Sequence, residues 1–173
     1  AVYALLLVQV VHSRARLRQL TWAVVSSGVV VAGVGLLQII GLDPVRTSGA
    51  APWMIDRGAS LLGNPDFTGT FLVAPFALAI ALGLSEKLRR HRAVAWVAAA
   101  LTLLALVLTL TRGAWLGAGV AAAAVSAAVA RSAVDGRVLR RAGFWSVVVV
   151  AATIALAGID RFAARLTDFA SAS

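Results

Sequence analysis

Two arginines are the residues of this sequence whose type and position best suit chemistry. Arg112 is the single charged residue in the apolar stretch 93–130, and Arg57 lies in the polar segment 43–66. A guanidinium group keeps its charge and presents paired N–H donors that match phosphate oxygens. Both arginines are therefore candidates for binding a phosphate group. The structural alternative is an anchoring role at the edge of an apolar segment, in which Arg57 would pair with Asp56.

The string Gly63-Asn64-Pro65 directly precedes another apolar stretch. Proline fixes its own φ angle, and an asparagine side chain can bond to nearby backbone, so this is the chemistry of a turn. We interpret Gly63, Asn64 and Pro65 as residues that shape the entry into a helix, next to the segment that contains Arg57.

The other residue types that could act as metal ligands or catalytic groups do not form a predicted site. The histidines, His12 and His91, lie among arginines without recognisable ligand partners, and the sequence has no cysteine. The sequence therefore predicts no metal site, no cofactor and no disulfide scaffold.

The amino-acid composition indicates whether the chain lies in water or in a membrane. Of 173 residues, 61% are hydrophobic and 13% are charged, with a mean hydropathy of +0.92. A soluble domain is typically about a quarter charged and 45–50% apolar. This composition excludes a soluble enzyme and a disordered tail, and it indicates a membrane protein.

Charge-free runs define the expected membrane spans. A helix needs roughly 17–25 residues to cross about 30 Å of hydrocarbon, and only helices satisfy their backbone hydrogen bonds within such segments. We predict one all-α transmembrane domain over 1–173, with five complete spans and one truncated N-terminal span. The segments are 1–11 (truncated), 19–42, 67–85, 93–111, 113–130 and 142–159, and 160–173 begins an outer loop. Because apolar sequence starts at Ala1, we expect the chain to be an internal piece of a longer protein.

The stretch 93–130 is predicted to be a helical hairpin. One long helix would place the basic clusters 86–92 and 131–141 on opposite sides of the membrane. A hairpin with its tip at Thr111-Arg112-Gly113 keeps both on one side.

Orientation follows from the basic residues. The clusters at 14–18, 86–92 and 131–141 alternate with less basic segments, so the positive-inside rule places them in the cytoplasm. Segments 43–66 and 160–173 are then outside. The net charge of +9 is accounted for by these clusters, so no nucleic-acid partner is predicted.

Glycines within the runs are expected to allow close helix packing. They are Gly28, Gly33, Gly35, Gly117 and Gly119.

Two motifs resemble the membrane core of the O-antigen ligase / O-antigen polymerase family. The first is Arg57 followed by Leu62-Gly63-Asn64-Pro65, and the second is the string Leu-Thr-Leu-Thr-Arg-Gly-Ala-Trp at 108–115. The resemblance covers roughly residues 50–173. One departure is Asp66, where that family often has a second asparagine.

The resemblance implies a polytopic glycosyltransferase of the bacterial cytoplasmic membrane. Such enzymes move a glycan from a polyprenyl diphosphate carrier to a hydroxyl of a glycan, lipid or protein acceptor on the extracytoplasmic side. It also implies that Arg57 and Arg112 bind the donor diphosphate. The family's general base, a histidine of a large outer loop, would lie beyond residue 173, so no catalytic base is expected in this chain.

Two other functions remain open from the sequence. One is a transporter or channel subunit, and the other is a non-catalytic membrane scaffold. None of the predicted spans contains Asp or Glu, and buried carboxylates are the usual parts of a proton or cation pathway. This weighs against an ion-coupled transporter.

Overall fold

The computed structural model describes residues 13–43, 54 and 56–132, the side chains of 130–132 excepted. Within these residues the prediction of an all-helical fold is confirmed. The helices are α1 (Arg14–Ile39), α2 (Pro65–Ser85), α3 (Arg89–Leu108) and α4 (Arg112–Ser132), with a single 3-10 turn at Ser60–Leu62. All four α-helices are long and apolar enough to cross a membrane.

Each helix contains most of one predicted span, in the order 19–42, 67–85, 93–111 and 113–130. The described part of the chain thus supports four spans and not the count of five. The predicted segments 1–11, 142–159 and 160–173 lie outside the described residues, so their structure stays a prediction.

The basic clusters at 14–18 and 86–92 are less loop-like than predicted. Helix α1 begins at Arg14 and α3 at Arg89, so most of these arginines occupy first helical turns. The side chain of Ser13 caps α1 by accepting a hydrogen bond from the Arg16 amide at 3.2 Å. Arginine is a good helix former. A charge-free run therefore measures the apolar length, while the helix itself continues into the charged residues.

Helix α2 is the centre of the described bundle. It packs against α1, α3 and α4, whereas α3 and α4, although joined by three residues, make little contact with each other. We call the end at which α2 begins the Asp66 end. The opposite end, where the chain passes from α2 to α3, is the Glu86 end. Helices α1 and α3 finish at the Asp66 end, and α4 starts there.

Small residues bring these helices together. An added Cβ at Gly28 would lie 2.7 Å from Cγ of Pro75, so α1 meets α2 where only glycine fits. In the same way, an added Cβ at Gly83 would lie 2.8 Å from Cε2 of Trp96 in α3. Gly33, by contrast, has no such neighbour within 4 Å among the described residues. The prediction of a packing role is confirmed for Gly28, whereas for Gly33, on a different face of α1, it stays a prediction.

Candidate functional site

The predicted turn residues form the entry of α2. Gly63 has φ 67° and ψ 3°, a left-handed conformation that favours glycine. Asn64 is extended, and its side-chain oxygen accepts a hydrogen bond from the Asp66 amide at 2.8 Å. Pro65 occupies the first helical turn, where a missing N–H costs nothing. The string therefore ends one segment and starts the helix within three residues.

A second turn, at 109–111, separates α3 from α4. The hydroxyl of Thr109 donates to the carbonyl of Leu106 at 2.7 Å, and Leu110 has φ 56°. The indole N–H of Trp115 reaches back to the same Leu106 carbonyl at 3.4 Å. Both side chains bond the Leu106 carbonyl, one of the last carbonyls of α3, which a helix leaves without an amide partner. The chain can then turn sharply and begin α4 at Arg112.

The two turns meet through Arg57 and Asp66. Arg57 Nε donates to the carbonyl oxygen of Thr109 at 2.9 Å, and its Nη2 lies 3.3 Å from Asp66 Oδ1. That carboxylate oxygen also accepts a hydrogen bond from Thr111 Oγ1 at 2.8 Å. We call Arg57, Asp66, Thr109 and Thr111 the Asp66 cluster. Residues far apart in the sequence thereby form one polar site at one end of the bundle.

Gly69 makes this approach possible. An added Cβ there would lie 2.7 Å from Thr109 Oγ1 and 3.1 Å from Cβ of Ala114. Any larger residue would push the 109–111 turn away from the first turns of α2. The sequence did not single out Gly69, because nothing local to it distinguishes a contact glycine from a lipid-facing one.

A buried network holds the segment before α2 against α1. The Ser60 amide donates to Gln38 Oε1 at 2.6 Å, and its hydroxyl donates to the carbonyl of Val31 at 2.6 Å. Gln38 Nε2 donates to Asp43 Oδ1 at 3.0 Å, and Thr68 Oγ1 donates to the carbonyl of Ala59 at 2.6 Å. The residues that follow Arg57, Ala59 and Ser60, are therefore fixed against α1 and α2.

The two charged side chains of the cluster, Arg57 and Asp66, are accessible to solvent. The side chain of Arg57 is 27% exposed and that of Asp66 is 61% exposed. Asp66 lies in the first turn of α2, where the helix dipole favours a negative charge. The site therefore offers a guanidinium already oriented by two acceptors.

The structure places Arg112 directly after this cluster. It is the first residue of α4 and is exposed. Arg57 and the Gly63-Asn64-Pro65 turn are thus brought together with the 109–111 turn that precedes Arg112. Asp66, which the sequence comparison treated only as a departure, is the residue that joins them.

Sequence reasoning also missed Gln38. It is 2% exposed and lies within an apolar run of α1. A polar side chain in such a run has to find a partner, because an unsatisfied buried amide is costly. That polar residue in the run was the available signal.

Among the described residues, no group of three or more His, Cys, Asp or Glu is placed to hold a metal ion. Comparison of the chain with protein-family models, with curated proteins and with solved structures found no match. The resemblance given above therefore depends on the motif residues themselves.

Proposed function

We propose that this chain is the membrane core of a glycosyltransferase that uses a polyprenyl-diphosphate-linked glycan. In this proposal the Asp66 end faces the extracytoplasmic side of a bacterial cytoplasmic membrane, and the protein has five complete spans and one truncated span. The observation that carries the proposal is the 2.9 Å contact between Arg57 Nε and the Thr109 carbonyl. It joins the two motifs on which the resemblance depends.

The reaction needs positive charge at this place. The bond between the glycan C1 and the diphosphate oxygen breaks, and its electron pair stays on the diphosphate. A bond forms between C1 and the acceptor oxygen, whose proton passes to a base that we expect beyond residue 173. Donors fixed where that negative charge develops lower the barrier.

Arg112 is proposed as the main diphosphate contact. It is exposed at the start of α4, where the amino end of the helix adds partial positive charge. Arg57 is proposed as a second contact. Its Nε and Nη2 bond the Thr109 carbonyl and Asp66, which orients the guanidinium beside the turn that precedes Arg112.

The test is glycan transfer by the full-length protein in membranes. With a polyprenyl-diphosphate glycan as donor, Arg112→Ala should lower the rate about 30- to 1000-fold, as expected for loss of about 2–4 kcal/mol. Arg137→Ala, in the basic cluster 131–141, is the matched control and should leave the rate unchanged. Equal rates for wild type and Arg112→Ala, or no transfer by the wild type, would contradict the proposal.

A further inference from the structure

The Glu86 end of the bundle carries an unusual excess of positive charge. The basic residues at the beginnings of α1 and α3 and in the segment between α2 and α3 are Arg14, Arg16, Arg18, Lys87, Arg89, Arg90 and Arg92. Within the described part of the chain, Glu86 is the single acid at this end, because Asp43, Asp56 and Asp66 belong to the other end or the segments leading to it. Seven positive charges therefore face one negative charge.

That one acid is engaged inside the protein. Arg18 Nε lies 2.7 Å from Glu86 Oε1, and Arg18 Nη2 lies 3.2 Å from Oε2, so the ion pair is bidentate. The Glu86 side chain is only 9% exposed. Glu86 therefore neutralises Arg18, and among the described residues no acid forms an ion pair with Arg14, Arg89 or Arg90.

The same contacts draw the two basic segments together. Arg18 Nη2 lies 3.1 Å from His91 Nδ1, and the His91 ring packs edge-on against Trp22 with centroids 6.3 Å apart. The first turns of α1 and α3 are thus held side by side through Arg18 and His91. The basic side chains of both helices form one patch rather than two.

Apolar side chains accompany this charge. Leu17 is 53% exposed and Leu88 is 51% exposed, each next to arginine or lysine in the sequence. A free anion in water would not require exposed leucines beside its site. A phospholipid supplies both partners, a negative headgroup for the basic side chains and acyl chains for the leucines.

We propose that the Glu86 end binds the headgroup of an anionic phospholipid across the first turns of α1 and α3. Arg89 and Arg90 hold the headgroup phosphate from α3, and Arg14 from α1. The contacts of Arg18 with Glu86 and His91 hold these two turns next to each other. The inference is independent of the proposed function, since lipid binding is measurable without any transfer.

The experiment is a titration of the purified full-length protein in detergent with dioleoylphosphatidylglycerol, followed by native mass spectrometry. The reference is the zwitterionic dioleoylphosphatidylcholine. Phosphatidylglycerol should be retained at lower concentration and in a saturable way. Equal retention of the two lipids would overturn the proposal, and this comparison on the wild type needs no variant to fold.

Variants test the residues. The double change Arg89→Gln with Arg90→Gln should weaken phosphatidylglycerol binding about 25-fold, at about fivefold for each lost charge. The matched pair Arg89→Lys with Arg90→Lys keeps the charge and should bind within a few-fold of wild type. Unchanged binding by the Gln pair, or equal loss in both pairs, would show that charge at these positions does not hold the lipid.

A competition experiment distinguishes binding of a lipid from binding of a small soluble anion. Excess inorganic phosphate or glycerol phosphate should not displace bound phosphatidylglycerol at constant ionic strength. Displacement by either would assign the patch to a small soluble anion and overturn the lipid proposal.

Discussion

The hydroxyl of Thr111 donates a hydrogen bond to the carboxylate of Asp66 across 2.8 Å, although 45 residues separate them in the chain. The contact joins the first turn of α2 to the turn between α3 and α4. Arg57 completes it from a third segment. A single carboxylate thus fixes the relative position of both motifs.

This relationship predicts coupled effects on stability. Thr111→Val removes the hydroxyl and should lower the free energy of unfolding by about 0.5–1.5 kcal/mol. Asp66→Ala should cost a similar amount, and the double variant should cost less than the sum, because both single changes remove the same hydrogen bond. Unfolding in mixed detergent micelles measures this. Thr111→Ser, which keeps the hydroxyl, is the control, and strict additivity would show that the two side chains do not act together.

Arginine and lysine should not be interchangeable at position 112. Lysine keeps the charge but loses the paired donors, so Arg112→Lys should recover little of the transfer lost in Arg112→Ala. The measurement is glycan transfer in membranes at matched protein level. Near-wild-type transfer would reduce Arg112 to an anchor at the membrane boundary, since lysine anchors equally well.

Two glycines of one helix should respond differently to the same change. Gly28→Ala forces a methyl group into the Pro75 ring and should destabilise the bundle by about 1–3 kcal/mol. A methyl group at Gly33 meets no atom of the described residues within 4 Å, so Gly33→Ala should be neutral or slightly stabilising, because alanine favours helix. The comparison is made by thermal unfolding in one detergent. Equal losses for the two variants would place the α1–α2 contact elsewhere.

Gln38 should be intolerant of an apolar replacement. Gln38→Leu leaves the buried Ser60 amide without its acceptor and should cost about 1–3 kcal/mol in unfolding free energy. Ser27→Ala, at an exposed position of the same helix, serves as the control. A Gln38→Leu protein as stable as wild type would mean that the Ser60 segment finds another partner.

Thiol labelling tests the proposed orientation. The chain has no native cysteine, so single cysteines can be introduced cleanly at Ala50 and Leu88. In intact cells an impermeant maleimide should label position 50 and not position 88. The Leu88 variant keeps every basic residue of its cluster, so the charge that sets the topology is unchanged. The reverse labelling pattern would invert the proposed site.

The sequence predicts the helices better than the contacts between them. Apolar length is a local property, so the charge-free runs locate α1 to α4, although α1 begins earlier, at Arg14, and α3 begins earlier, at Arg89. The partner of a side chain is not local. Gly28 and Gly33 are both glycines of α1, and only the packing of α2 against Gly28 distinguishes them.

In the candidate site, too, local features could be predicted and long-range contacts could not. The turn at Gly63 to Pro65 is predicted by three consecutive residues. The role of Asp66 could not be predicted, because its partners, Thr111 and Arg57, come from other segments. Comparison with a family pattern marked Asp66 as an exception, whereas the structure gives it the central contact.

Helix α2 is tied at both ends by a carboxylate and an arginine from another segment, Asp66 with Arg57 and Glu86 with Arg18. Between those two acids the helix rises about 30 Å at 1.5 Å per residue, which is close to the hydrocarbon thickness of a bilayer. Sliding or tilting α2 to suit a thinner or thicker bilayer would break one of these ties. If α2 spans a bilayer as proposed, we expect its length to stay fixed and the thickness of the surrounding lipid to adjust to it.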